Sequence, residues 1–270
     1  MNNYDPTMAY TLALAIREAY RKYSNNDYVI NLPGWTVKDF IYVFEAEEAG
    51  YVFFGFTATG NIEPYPNLVA LRGTQTGEEG LDDIDFTFTD CVLPSTGGQS
   101  YGQVAQGAYD FYVDNDEGLV TSLADSFKNA IGNLDGSRFE WYIGGHSLGG
   151  AMATLGALDA VVSGSYNNSN VRPKLYTYGS MYVGDQTFVS SFGKNGITEV
   201  YRVANLADWV PGFTGIVADT PGYAHVGLDC TYLWQTGGDW ANHSLENNYL
   251  ACVKQYRDVI KFGRGSIRNN

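Results

Sequence analysis

The chain has 270 residues, with 30 acidic side chains against 16 basic ones and a formal net charge of -14. A hydrophobic content of 44% with 15% aromatics belongs to a globular protein that can bury a sizeable core, not to a disordered one. The charge excludes nucleic acid and anionic lipid head groups as expected partners, and no apolar run is long enough to span a membrane.

In chain order, Asp5-Pro6 reads as an N-cap and first-turn proline. Met8, Leu12, Ile16 and Tyr20 then recur at helical spacing, which predicts a helix to about Tyr23. Apolar runs predict strands near Phe40–Ala46 and Tyr51–Thr57, joined by a hairpin turn. A short strand, Leu68–Leu71, ends in Arg72-Gly73-Thr74. Residues 73–102 are polar, glycine-rich and largely aperiodic, a length of connection that usually serves a function or is disordered. Helices are expected at Val104–Val113 and Glu117–Ile131. A strand at Phe139–Gly144 and a helix at Leu148–Ser163 follow. The alternation continues with a strand at Lys174–Tyr178, a helix near Gln186–Phe192 and a strand at Glu199–Val203. Short strands near Ala224–Leu228 and Thr231–Trp234 precede a last helix, Leu245–Lys261, with Tyr249, Val253, Tyr256 and Ile260 along one stripe. Strands alternating with helices predict a mostly parallel sheet covered on both faces, in one domain over residues 1–270.

The start of the chain lacks the basic segment and apolar core of a signal peptide. Three cysteines, Cys91, Cys230 and Cys252, allow one bridge and a free thiol, or three thiols. Their spacing fits no zinc site, and neither a metal nor a cofactor is expected.

The chemistry concentrates at Gly145-His146-Ser147-Leu148-Gly149, between an apolar strand and a long small-residue helix. A serine in a sharp strand-to-helix turn projects its hydroxyl from the sheet, and the flanking glycines admit the close backbone approach this needs. The following helix aims its free N–H groups at the site, so Leu148 N–H is placed to bind an oxyanion. A serine nucleophile needs a base, and the base an orienting carboxylate. Of three histidines, His146 adjoins the serine and should point away from it. His225 reads as a strand residue in "YAHVGL", a hydrogen-bonded structural histidine near the site. His243, in the polar stretch "GGDWANHSL", is the expected base. Asp208 follows a strand end and is the expected acid, whereas Asp185, Asp229 and Asp239 read more simply as caps or turns. Thr74 can offer both its N–H and its hydroxyl as a second oxyanion donor, or can belong to an ordinary polar turn.

Together these motifs resemble the class 3, fungal-type lipases and feruloyl esterases of the α/β-hydrolase superfamily. The resemblance is carried by "YIGGHSLGGAMATL" at the elbow, "LVALRGTQT" at the oxyanion strand, "DDIDF", "VYRVANLADWVPGF" and "GYAHVG". It is strong from about Val69 to His243 and thin before Phe40. It implies an α/β-hydrolase fold with a Ser147–His243–Asp208 triad and Thr74 and Leu148 as oxyanion donors. It also implies a secreted protein, a small-molecule or lipid ester as substrate, and at most transient contact with lipid interfaces. The chain departs from the family where Val104-Ala105-Gln106-Gly107-Ala108 replaces a usual His-x-Gly-Phe pattern, and where Gly80 stands at about the position of a lid tryptophan. Gln75–Ile84 reads either as a lid or as a solvated loop that covers nothing. Only Leu81 and Ile84 there are apolar, so short- to medium-chain esters are the expected substrates, with weak interfacial activation. An aryl esterase of the feruloyl type is the alternative, and a non-catalytic binding module on the same fold a more distant one.

Overall fold

The computed structural model describes residues 3–45, 50–74, 84–94, 96–114, 121–166, 168, 170–212 and 222–265, with the backbone alone at 45 and from 259 onward. Helix α1 (Pro6–Ser24) starts where Asp5 accepts the Thr7 and Met8 N–H groups. Two long strands follow, β1 (Trp35–Glu45) and β2 (Gly50–Gly60), then the short β3 (Asn67–Leu71). The segment expected to be aperiodic contains two strands, β4 (Phe88–Val92) and β5 (Ser100–Ala105). Helices α2 (Gln106–Val113) and α3 (Leu123–Gly132) lead to β6 (Trp141–His146) and α4 (Leu148–Val162). Next come β7 (Lys174–Tyr178), the two-residue β8 (Gly184–Asp185), α5 (Gln186–Lys194) and β9 (Val200–Asn205). The last part holds β10 (Tyr223–Ala224), β11 (Leu228–Tyr232) and the short helix α6 (Asp239–His243). A π-helical turn (Leu245–Tyr249) then runs into α7 (Leu250–Gly265).

The main sheet has the order β1-β2-β3-β6-β7-β9-β11. Its β1-β2 and β2-β3 pairings are antiparallel, and the remaining four are parallel. A second, antiparallel sheet, β10-β8-β5-β4, was not foreseen. Polar alternation in β4 and β5 and the brevity of β8 and β10 leave too little periodic signal for such strands.

Period-two alternation sends successive strand residues to opposite faces. Val69, Leu71, Trp141, Ile143 and Leu175 join one buried cluster, with side chains of α2, α3 and α4. Leu68, Ala70, Tyr142, Tyr176 and Tyr178 join the other, with α1 and Val253 of α7. Every residue of α4 from Leu148 to Ala160 is buried. Its glycines and alanines let the helix lie close against the sheet, which fixes the residue just before it. The parallel register aligns Leu71 with Gly145, His146 with Tyr178, and Asn205 with Tyr232. The strand ends therefore gather Thr74, Ser147 and Asp208 at one edge, where α/β sheets carry their sites. Cys91, Cys230 and Cys252 are all free thiols.

Candidate active site

Ser147 has φ 57 and ψ -128, and among the described residues it is the one non-glycine with positive φ. Such a backbone is costly for an L-residue and persists only where the surroundings hold it. Here the Ser147 N–H donates to the Tyr178 carbonyl at 3.0 Å, and the Ser147 carbonyl accepts the Gly150 N–H at 2.9 Å. Two glycines make the turn sterically feasible. A Cβ on Gly145 would lie 2.0 Å from the Gly149 carbonyl oxygen, and one on Gly149 would lie 2.2 Å from that of Arg72. Leu148 opens α4, so its N–H is among those that lack an acceptor within the helix.

Asp208 sits just past β9 with its carboxylate buried. Its Oδ1 accepts the Val210 N–H at 3.0 Å. Its Oδ2 accepts two bonds, from His243 Nδ1–H at 2.7 Å and from the Tyr249 hydroxyl at 2.5 Å. In a neutral ring that pairing places the proton on Nδ1 and leaves Nε2 bare. His243 Nε2 is buried and has no hydrogen-bond partner among the described residues. An acceptor nitrogen left free in this way is available to take a proton. His243 is the last residue of α6, not part of an open loop as the sequence suggested. The glycines and polar residues around it masked a helix of a single turn.

The neighbouring Asn242 is buried, and its Oδ1 accepts the Thr236 N–H at 2.9 Å. Trp240 meets the His243 ring edge-on at 6.0 Å and Trp209 at 5.3 Å. His146, the residue before Ser147, donates its Nε2–H to the His243 carbonyl at 2.8 Å, with the two imidazole rings 4.7 Å apart. Thr74 is half-buried and follows Gly73, where a Cβ would lie 2.8 Å from Ser147 Cβ.

The other sequence candidates fall elsewhere. His225 lies past the end of β10, not in a strand. It stacks on Tyr182 at 3.6 Å, and its Nε2–H donates to the Pro211 carbonyl at 3.0 Å. Burial, with Arg202 nearby, pushes its pKa down to about 4, so it stays neutral. Asp185 caps α5, and Asp229, a β11 strand residue rather than a turn, pairs with Arg202 at 2.7 Å. Of the lid candidates, Leu81 lies outside the described residues. Ile84 packs half-buried against the core, next to Gly107. Among the described residues no three His, Cys, Asp or Glu side chains cluster to hold a metal ion, and no helix is long and apolar enough to cross a membrane.

Sequence reading missed Tyr249 and Tyr20. Tyr249 was visible only as part of an apolar helical stripe, and Tyr20 as one more core position of α1. A tyrosine carries a polar tip on an apolar ring, so a core pattern hides its hydroxyl.

The model of the family described as lipase (class 3) matches residues 68–218, more than half of the chain. This chain belongs to the class 3 lipase family. Phospholipase A1-II 4 of Oryza sativa subsp. japonica is 29% identical over 195 residues, covering 66% of this chain and 48% of its own length. Phospholipase A1-IIgamma of Arabidopsis thaliana is 30% identical over 173 residues, covering 59% and 40%. The chain thus spans about half the length of the curated relatives it matches. Among solved structures, a deletion mutant of Rhizomucor miehei lipase in complex with its propeptide superposes with a TM-score of 0.61 at 23% identity. That match covers 84% of this chain and 66% of the other. A triacylglycerol lipase whose catalytic centre is formed by a serine protease triad gives 0.59 at 20% identity, covering 90% and 91%. These structures share the α/β-hydrolase fold with this chain.

Proposed function

We propose that this protein is a serine carboxylic-ester hydrolase acting on acyl esters of lipids, with Ser147, His243 and Asp208 as its catalytic triad. The observation that carries this reading is the buried Asp208–His243 pair with an unpartnered Nε2, bonded to His146, the residue before a serine at a strained turn. In the reaction, Ser147 attacks the ester carbonyl while His243 Nε2 takes its proton. Asp208 holds the imidazole and stabilises the charge it acquires. Leu148 N–H and Thr74 stabilise the oxyanion. Collapse of the tetrahedral intermediate expels the alcohol, which takes the proton from His243. Water, deprotonated by the same nitrogen, then releases the acid from Ser147.

Lipid esters are favoured by the apolar rim of this edge. Leu206 and Leu233 follow β9 and β11 with 68% and 70% of their surface exposed, and Trp240 meets the base with Trp209 against it. The relatives named as phospholipases A1 add glycerophospholipid esters to the candidate substrates. The net charge of -14 favours neutral or zwitterionic lipids over anionic ones. Short- to medium-chain acyl groups remain the expected range, from the acidic composition of Gln75–Ile84.

The test is hydrolysis of p-nitrophenyl esters from acetate to palmitate, with the Ser147→Ala variant as blank. Activity that peaks at short to medium chains and falls by about 10⁴-fold or more in the variant is expected. A maximum at palmitate would refute the chain-length reading. Hydrolysis undiminished in Ser147→Ala would refute the triad itself.

A further inference from the structure

Helix α1 lies outside the part of the chain matched by the family model, yet it reaches the site. The Gly73 N–H donates to the Tyr20 hydroxyl at 2.8 Å, and that hydroxyl is 2.8 Å from His146 Nδ1. His146 Nε2 in turn is 2.8 Å from the His243 carbonyl oxygen. The direction of every bond in this chain is forced. A carbonyl only accepts, so the proton of His146 is on Nε2. In a neutral ring Nδ1 is then bare and accepts the Tyr20 O–H, whose oxygen accepts the Gly73 N–H. Burial, reinforced by the neighbouring His243, holds the His146 pKa well below its ordinary value and keeps the ring neutral. Gly73 is held from its other side too. Arg72 Nη1 donates to the Gly73 carbonyl at 2.7 Å, and the Arg72 guanidinium lies over the Tyr23 ring at 3.7 Å.

We infer that Tyr20 and His146 are positioning residues that fix the backbone before Thr74 and the backbone of His243 relative to each other, through one directed chain of hydrogen bonds. This rests on the triad reading above. The chain moves no proton during turnover. It ties the oxyanion strand end to the base across the residue adjoining the nucleophile, so that neither end shifts without the other. Losing the Tyr20 hydroxyl strands two buried groups at once, Gly73 N–H and His146 Nδ1, and uncouples the Gly73 end from the His243 end.

Two measurements test this. In the wild-type protein, ¹⁵N-resolved NMR of the histidine rings should show His146 neutral with its proton on Nε2 from pH 5 to 8. A proton on Nδ1, or a charged ring, overturns the inference. In Tyr20→Phe, kcat on p-nitrophenyl butyrate should fall about 10- to 100-fold with KM within about threefold and the melting temperature within about 5 °C. The rate of Ser147 labelling by a fluorophosphonate should fall in parallel. A kcat per folded molecule within about twofold of wild type overturns the inference, because packing alone predicts that result. Should this variant not fold, the NMR measurement decides by itself. The failure of the triad reading is separable, since it shows as hydrolysis that survives Ser147→Ala.

Discussion

The elbow and the base-bearing segment are assembled in opposite ways. From Trp141 to Val162 the site is made locally, by a strand, a turn and a helix contiguous in sequence. Its geometry follows from steric exclusion around two glycines. The proposed acid and base, 35 residues apart, are instead held by side-chain bonds among Asp208, His243, Tyr249, Asn205 and Asn248. The first region is shaped by what the backbone cannot do, and the second by what particular donors and acceptors do for each other. Damage should therefore show as lost folding in one and as lost turnover in the other.

Asp208→Asn should have the largest effect. An amide at this position favours the wrong His243 tautomer, and kcat should fall about 10⁴-fold with little change in melting temperature. A comparable loss of stability would erase the contrast. Gly145→Ala comes next. Its Cβ would overlap the Gly149 carbonyl, so the chain should lose at least about 3 kcal/mol in urea unfolding or fail to fold. A stable but inactive Gly145→Ala would show that the elbow tolerates distortion.

A buried carboxyl in the elbow helix sharpens the comparison. Asp159 accepts a bond from the Tyr112 hydroxyl at 3.0 Å, and its other oxygen has no partner among the described residues. Burial raises its pKa to about 6, against an ordinary 3.8. A pKa raised on folding gives stability that is complete below about pH 4 and lost as pH rises through about 6. The loss amounts to about 2 to 3 kcal/mol. Asp159→Asn should flatten this part of the pH–stability curve measured by urea unfolding, while kcat stays within about twofold. An unaltered curve would mean that Asp159 is ionised at little cost.

Tyr249→Phe should lower turnover far less than Asp208→Asn. It removes one of two donors to Asp208 Oδ2 and should lower kcat about 10-fold, with a drop in melting temperature of a few degrees. A selective loss of stability with kcat intact would move Tyr249 to the structural side of the comparison.

The same difference explains what the sequence disclosed. The Ser147 elbow, the parallel strands and α4 were readable because apolar periodicity and glycine placement act over neighbouring residues. The acid and base candidates could be named from chain order and position, but their bonding partners could not. Tyr20 and Tyr249 carry the periodicity of core residues, and their hydroxyl contacts span 126 and 41 positions. The antiparallel sheet escaped notice because β8 and β10 are two residues each and β4 and β5 lie in a glycine-rich stretch. The brief helix ending at His243 was hidden in the same way.

The burial of Asn242 has a consequence for how the protein can be produced. Asn242-His243-Ser244 is an acceptor sequence for N-linked glycans, which are attached to chains entering the secretory pathway of eukaryotic cells. In the folded protein the Asn242 side chain is enclosed and bonded to Thr236, with no room for a sugar. An oligosaccharide added during synthesis would hold this residue at the surface and keep the adjoining histidine from its seat beside Asp208. Production in bacteria, where this modification does not occur, avoids the conflict between sugar attachment and assembly of the site.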